Sequence, residues 1–267
     1  MKSEFEEKQF ESPLNAELAS ASGLFIPTGQ VLESLVGFDA ALLTHDVRFW
    51  RRFGSLSPLS GAFIDAAWWG LSAGEINALP RFRFNLFLQH KRPEYCKGPR
   101  GKHRKHFGGP YYRYAITPHQ QLALERLATG AAGSSIVSYA CPACHTMTTL
   151  FYHIQNRTLV DATNFIEVTK LTGHRFYNYR SGGAQGLAND EPTEVQSDFI
   201  IRRIAKMRDI AENSESNVDF LKGTASVVES VGREARVIGG VYSRIVDSYR
   251  DQQREPALAA IPENPDI

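Results

Sequence analysis

The chain has 267 residues, of which 42% are hydrophobic and 22% are charged, and its formal net charge is +1. These are ordinary values for a globular protein with a sizeable core. The near-zero charge excludes a uniformly basic protein, so any nucleic-acid surface must be local. The acidic N-terminus is not a secretory signal, and no run of about 18 apolar residues predicts a membrane span. Three cysteines argue against a disulfide framework and fit a cytoplasmic location.

The first third of the chain predicts one helix and three strands. Residues 1–22 are polar, and we expect a loose arm or a short surface helix there. Residues 30–36 are expected to be helical. Strands are then expected over 38–43, 62–69 and 82–91, the last of these being the central strand.

The middle of the chain adds two helices and a strand. Thr117 and Gln120 have the spacing of a capping box, which predicts a helix from Pro118 to about residue 130. A β-rich run predicts a strand over 135–140, and a helix is expected over 143–155. The predicted order is therefore helix, three strands, helix, strand, helix.

The polar end of the central strand organises the candidate site. Gln89 and Lys91 are two residues apart, so on a strand they project from the same face while His90 turns away. A lysine that ends an apolar strand needs a carboxylate or phosphate close by. Glu33 and Asp39, upstream in the chain, are the candidate partners.

The pattern ExxxGFD (residues 33–39) followed by QxK (residues 89–91) resembles the PD-(D/E)XK, or restriction-endonuclease-like, nuclease superfamily. It is similar to the branch in which Gln replaces the first acid, as in Mrr-like and anti-phage effector nucleases. The resemblance covers roughly residues 28–170. It implies an α/β fold with an αβββαβ core, here with a C-terminal helical extension. It also implies a metal-dependent DNA endonuclease in bacterial restriction or anti-phage defence.

The resemblance also implies roles for individual residues. Asp39 would be the central ligand of Mg²⁺ or Mn²⁺, and Glu33 a second ligand, directly or through water. Gln89 would offer its amide oxygen, and His90 its backbone carbonyl, as further ligands. Lys91 would orient and activate the attacking water.

Two alternatives remain open at this site. Asp65 rivals Asp39 for the metal position. Because Gln89 departs from the acid of the parent motif, the chain could instead be a catalytically degenerate, DNA-binding or assembly subunit of a defence complex. No GxxxxGK[ST] loop occurs, so an ATP-dependent system would need a partner subunit such as an ATPase.

Residues 92–113, called the basic segment below, follow the central strand and are rich in Lys and Arg. This composition predicts contact with DNA phosphates. The alternative is an ordinary solvated loop. A second region, 174–183, mixes aromatic and cationic residues and could be another nucleic-acid contact or a packed aromatic corner. The candidate nucleic-acid-binding residues are Arg92, Lys97, Arg100, Lys102, Arg104, Lys105 and Arg113.

Cys141, Cys144 and His145 suggest zinc, but one CxxC supplies only two or three ligands. The nearest further candidates are Cys96, His103 and His106, in the basic segment. We therefore expect buried structural thiols rather than zinc.

The expected organisation is an N-terminal arm (1–22), a nuclease-like domain (23–192), a C-terminal helical region (193–252) and a disordered tail (253–267). The helical region carries a long apolar stripe with three-four spacing. Packing within one chain is the favoured account of this stripe. The same helix of another subunit, giving a homo-oligomer, or a scaffold role is the alternative.

Overall fold

The computed structural model describes residues 1–22, 24–27, 40–44, 85–99, 101–189 and 193–203, and a few positions between 206 and 231. The predicted elements over 30–36 and 62–69, most of the C-terminal region and the tail lie outside these residues. So do four of the candidate site residues, Glu33, Asp39, Asp65 and Arg100. Within the described ranges, no helix is both long and apolar enough to cross a membrane.

The described elements form a mixed α/β structure. The helices are α1 (Glu7–Ser22), α2 (Arg104–Phe107), α3 (Pro118–Gly130), α4 (Met147–Asn156) and α5 (Leu159–Ala162), with a 3₁₀ turn at Val168–Leu171. The strands are β1 (Leu24–Pro27), β2 (Ala40–Thr44), β3 (Asn85–His90), β4 (Glu94–Cys96), β5 (Tyr111–Ala115), β6 (Ser135–Pro142), β7 (Thr163–Glu167), β8 (Phe176–Tyr179), β9 (Gln185–Ala188) and β10 (Thr193–Gln196).

The first sheet has the strand order β1-β2-β3-β6-β7. Only β3 and β6 run parallel, and the other neighbours are antiparallel. Parallel neighbours need a crossover connection, and here α3 lies within that connection. Both faces of β3 are covered, which explains its continuous apolar run: Leu86 and Leu88 pack with α1, α4 and α5, and Phe87 is also buried.

Helix α1 is a core element, which differs from the loose arm or surface helix expected for residues 1–22. Its Phe10, Leu14 and Leu18 are fully buried and belong to the same apolar cluster as Leu86 and Leu88. These three residues are spaced four apart, so they lie on one face of the helix. The N-terminal segment is therefore part of the domain core.

Leu14→Ala is expected to lower the free energy of unfolding by about 2–5 kcal/mol, because it removes a fully buried side chain and leaves a cavity. Leu122→Ala on α3 is the matched control, since that leucine is 49% exposed and its loss should change stability by about 0.5 kcal/mol or less. Urea denaturation of both variants measures the difference. Equal midpoints for the two variants would contradict the placement of α1 in the core.

The second sheet has the order β10-β9-β8-β5-β4 and is antiparallel throughout. Its inner face carries a layer of tyrosines that packs towards β6: Tyr114 contacts the Tyr139 ring, and the Tyr179 hydroxyl donates to the Pro142 carbonyl at 2.9 Å. The β8–β9 turn joins the two sheets, since the Phe165 N–H donates to the Gly183 carbonyl at 2.7 Å. A Cβ at Gly182 would lie 1.8 Å from the Asp161 carbonyl oxygen, so this junction requires glycine.

Several predicted elements are confirmed and two details are corrected. Helix α3 and strands β3 and β6 lie where they were expected. The Thr117 hydroxyl makes no capping hydrogen bond, so the capping box is not formed. The helical region expected from about Thr193 begins later, because Thr193–Gln196 is strand β10 and helical residues start at Ile200.

Candidate active site

Three side chains form a hydrogen-bonded chain at the end of β3. The Gln120 amide nitrogen donates to Gln89 Oε1 at 2.6 Å, and Lys91 Nζ donates to Gln120 Oε1. A single amide on α3 therefore links Gln89 of β3 with Lys91, the residue that follows β3, and these two side chains were predicted to share a face. The sharing of a face is confirmed.

His90 points to the opposite face, as predicted. Its ring meets the Phe10 ring of α1 edge-on, with centroids 5.5 Å apart. Its backbone carbonyl, a proposed metal ligand, accepts a hydrogen bond from Gln89 Nε2 at 3.1 Å. The amide group of Gln89 and the His90 carbonyl oxygen therefore lie side by side.

Tyr139, on the neighbouring strand β6, lies beneath the lysine. Lys91 Nζ is 5.7 Å from the centre of the Tyr139 ring, within the range of a cation–π interaction. Burial raises the pKa of Tyr139, so its hydroxyl stays protonated and donates to Gln121 Oε1 at 2.8 Å. Gln121 Nε2 in turn donates to the Val168 carbonyl at 2.8 Å. The base of the site is thus held by a buried polar network.

The metal-ligand set is only partly contained in the described residues. Gln89 and the His90 carbonyl supply neutral oxygens, whereas Mg²⁺ binds best when at least one carboxylate is present. No cluster of three His, Cys, Asp or Glu that could hold a metal is found in the described part of the chain. The carboxylates proposed for this role, Glu33, Asp39 and Asp65, lie outside it.

The pairing of β2 with β3 shows which end of β3 lies beside the first residue of β2. Ala40, which follows Asp39 in the chain, pairs with Leu88, which precedes Gln89. Strand β2 therefore begins beside the polar end of β3.

The cations of the basic segment differ in how far they are buried. The Arg92 guanidinium is bound by the N-terminal segment, donating to Ser3 O at 2.6 Å and Glu6 Oε1 at 2.7 Å. Arg113 is half-buried and donates to Glu94 Oε2 at 2.7 Å.

Three lysines of this segment, Lys97, Lys102 and Lys105, are exposed. Arg104 is half-buried and donates to the Lys97 carbonyl at 3.0 Å. Exposed cations can exchange water for phosphate, so these three lysines form the part of the segment best placed for nucleic acid.

The aromatic residues of region 174–183 are mostly packed inside. Tyr177 and Tyr179 are fully buried in the tyrosine layer, which favours the packed-corner interpretation for these two rings. Arg180, one of two exposed arginines in this region, donates to the Phe107 carbonyl in the basic segment. The two regions that sequence analysis treated separately are therefore neighbours.

The thiols of the CxxC motif are buried. Cys141 Sγ donates to the Lys91 carbonyl at 2.9 Å, and burial raises the pKa of both Cys141 and Cys144, the latter to about 12. Zinc binding requires thiolates, which this burial disfavours. Both thiols instead belong to the packed interior around the site.

Thiol labelling should distinguish these cysteines from the third. At neutral pH in the folded protein, we expect iodoacetamide to modify half-buried Cys96 and to leave Cys141 and Cys144 unmodified. Unfolding in urea should expose all three, which serves as the control. Mass spectrometry of the labelled peptides reads the outcome, and labelling of Cys141 before Cys96 in folded protein would contradict it.

Gln120 and Tyr139 were not predicted as site residues. Gln120 was assigned to a capping box, whereas in the structure it links Gln89 with Lys91. The only sequence signal for this link is that Gln120 lies in the first turn of a helix that packs over β3. Tyr139 could have been found from the parallel register, because Gln89 pairs with Tyr139.

No protein-family model, curated protein or solved structure matches this chain.

Proposed function

We propose that this chain is a Mg²⁺- or Mn²⁺-dependent DNA endonuclease that hydrolyses phosphodiester bonds. The observation that carries the proposal is the linked set Gln89–Gln120–Lys91 at the end of a central strand. It brings a neutral oxygen ligand and an ammonium group together at the point where β2 begins. Phosphodiester hydrolysis needs a cation-binding oxygen beside a group that can orient water.

The strand order also supports this proposal. Helix α1, strands β1, β2 and β3, helix α3 and strand β6 occur in the helix–strand–strand–strand–helix–strand order implied by the resemblance to restriction-endonuclease-like nucleases, with β4, α2 and β5 inserted between β3 and α3. The first helix and the first strand differ from those expected from the sequence. We include this core fold in the proposal.

The residues are assigned as follows. Asp39, with Glu33, holds the metal together with Gln89 Oε1 and the His90 carbonyl, and Asp65 is the alternative acid. A carbonyl oxygen has two lone pairs, so Gln89 can accept from Gln120 and still face a cation. The metal, when bound, supplies charge neutralisation at the attacked phosphate. Lys91 orients the attacking water, and Gln120 holds the Lys91 side chain in position.

One observation favours a second function, a non-cleaving DNA-binding or assembly subunit. Both polar ends of the Gln89 side chain already have protein partners, namely Gln120 and the His90 carbonyl. A neutral, internally satisfied amide binds Mg²⁺ more weakly than the acid of the parent motif would. Such a subunit would bind DNA in a salt-dependent way without cleaving it.

Supercoiled plasmid incubated with the full chain decides between these functions. The endonuclease converts the plasmid to nicked or linear forms with Mn²⁺ or Mg²⁺, and EDTA stops the reaction. A partner subunit can be required, so the purified native complex is assayed beside the isolated chain. Metal-independent binding without cleavage by either preparation would favour the non-cleaving subunit. The proposed context is bacterial restriction or anti-phage defence.

A further inference from the structure

A pocket of about 630 Å³ opens on the second sheet, on the face opposite the tyrosine layer. Its floor is formed by alternate residues of neighbouring strands, including Arg113 of β5 and Phe176 and Asn178 of β8. The basic segment supplies part of the rim through Lys97 and Lys102. The Gln89–Gln120–Lys91 cluster does not line this pocket.

The charge of the lining favours an anion. Three cationic side chains, those of Lys97, Lys102 and Arg113, line the pocket together with one carboxylate, that of Glu94. Glu94 is bound to Arg113 at 2.7 Å. The two lysines at the rim give the opening a positive edge to which a phosphate could bind.

Two residues that line the pocket each bury a polar atom without a hydrogen-bond partner in the described part of the chain. Arg113 and Asn178 are direct cross-strand partners. Asn178 is 1% exposed and donates from Nδ2 to the Leu187 carbonyl at 3.1 Å. Asn178 Oδ1 and Arg113 Nε are buried, and neither has a hydrogen-bond partner in the described part of the chain.

Such unsatisfied buried atoms are uncommon and call for an explanation. An acceptor such as Asn178 Oδ1 is complementary to an N–H donor on the edge of a nucleobase. Because Asn178 Oδ1 is buried, presenting it to a bound base requires a side-chain rotation that exchanges the Asn178–Leu187 hydrogen bond for bonds to the base.

The same floor offers a flat surface. The Arg113 guanidinium lies over the Phe176 ring, 5.0 Å from its centre. Guanidinium planes and aromatic rings are the surfaces on which proteins stack unpaired bases.

We propose that this pocket binds a nucleoside monophosphate unit. The base stacks on the Arg113 guanidinium over Phe176 with its edge towards Asn178, and the phosphate lies on Lys97 and Lys102. A free mononucleotide and the 5′-terminal nucleotide of a DNA strand share this chemistry. Binding here does not depend on cleavage at Lys91, so either activity can exist without the other.

Calorimetric titration of the full chain tests the proposal with the four deoxynucleoside 5′-monophosphates, with the matching nucleosides and with inorganic phosphate. At least one nucleotide should bind with a Kd below about 1 mM, and about tenfold or more tightly than its nucleoside or phosphate alone. If both the base and the phosphate contribute to affinity, the site is a specific pocket rather than a general cationic surface.

Gly98 allows the pocket to be blocked at its rim. A Cβ at Gly98 meets nothing within 4 Å, so Gly98→Trp can fill the opening without disturbing the packing, and Gly98→Ala is the matched control. Nucleotide binding should be lost in Gly98→Trp and kept in Gly98→Ala, with unchanged melting temperatures. Lys102→Ala provides a second variant, which should weaken nucleotide binding and leave nucleoside binding unchanged.

Titration with a single-stranded oligonucleotide, with or without a 5′-phosphate, shows whether the ligand is the 5′ end of a DNA strand or a free mononucleotide. Preference for the phosphorylated strand that disappears in Gly98→Trp identifies the strand end, and binding of mononucleotides alone identifies a free nucleotide. The proposal is overturned if neither ligand binds more tightly than inorganic phosphate, or if Gly98→Trp binds them as tightly as the unmodified chain.

Discussion

Replacing Lys91 with alanine should reduce metal-dependent plasmid cleavage by about 100-fold or more. The half-buried Lys91 ammonium is held by Gln120 Oε1 over the Tyr139 ring, so it is fixed beside the oxygens proposed to bind the metal. Losing it removes the group that orients the attacking water. The initial rate of nicking at saturating Mn²⁺ measures the effect.

Two further variants show whether the loss of cleavage comes from the missing ammonium group or from disturbed folding. Lys91→Met keeps the aliphatic stem against Tyr139 and should be as inactive as Lys91→Ala. Lys170→Met, at an exposed lysine on the 3₁₀ turn, should cleave at the original rate. DNA affinity should change little in all three variants. Full activity in either Lys91 variant would remove this residue from the proposed mechanism.

The second large effect is expected on DNA binding. Replacing Lys97, Lys102 and Lys105 together by glutamine should weaken DNA affinity by about 10- to 100-fold at moderate salt. For each lysine that neutralises a DNA phosphate, its replacement should also reduce the slope of log affinity against log salt by about 0.9. The three side chains are exposed on one continuous segment, so the substitutions should leave folding intact.

The matched control is a triple substitution of exposed cations elsewhere, Arg126, Arg157 and Lys170, to glutamine. It has the same change in net charge and should leave the salt slope nearly unchanged. Fluorescence anisotropy with a labelled duplex over a range of salt concentrations measures both. Equal reductions of affinity in the two triple variants would show that net charge, rather than this segment, governs binding.

The central elements could be predicted because local signals and tertiary structure agree there. Strand β3 is apolar on both faces, and α3 begins at a proline that suits the first turn of a helix. Because β3 is a strand, the side chains of Gln89 and Lys91 must share a face. This part of the candidate site follows directly from the alternation of side chains along a strand.

The position of helix α1 in the core was missed because its local signals conflict. Most of its residues are polar, and Pro13 lies inside the helix, where proline is ordinarily unfavourable. The spacing of Phe10, Leu14 and Leu18 was the better indicator. Tertiary packing of this apolar face outweighs the weak helix propensity.

The role of Gln120 could not be read from sequence spacing. Its side chain can either cap its own helix or reach the sheet, and only the position of α3 over β3 decides between these. The pairing of strands in the second sheet could not be predicted from sequence either. Alternating tyrosines at residues 112 and 114, and at 177 and 179, are typical of strands, but their pairing depends on contacts about 65 residues apart in sequence.

A crystal structure with Mn²⁺ tests the central claim most directly, because the anomalous signal locates the ion. We expect one ion, which Gln89 Oε1 and the His90 carbonyl would hold together with a carboxylate of Asp39 or Asp65, beside Lys91. An ion bound only elsewhere, or these two oxygens still engaged solely by hydrogen bonds at saturating Mn²⁺, would contradict a metal-dependent nuclease site at the end of β3.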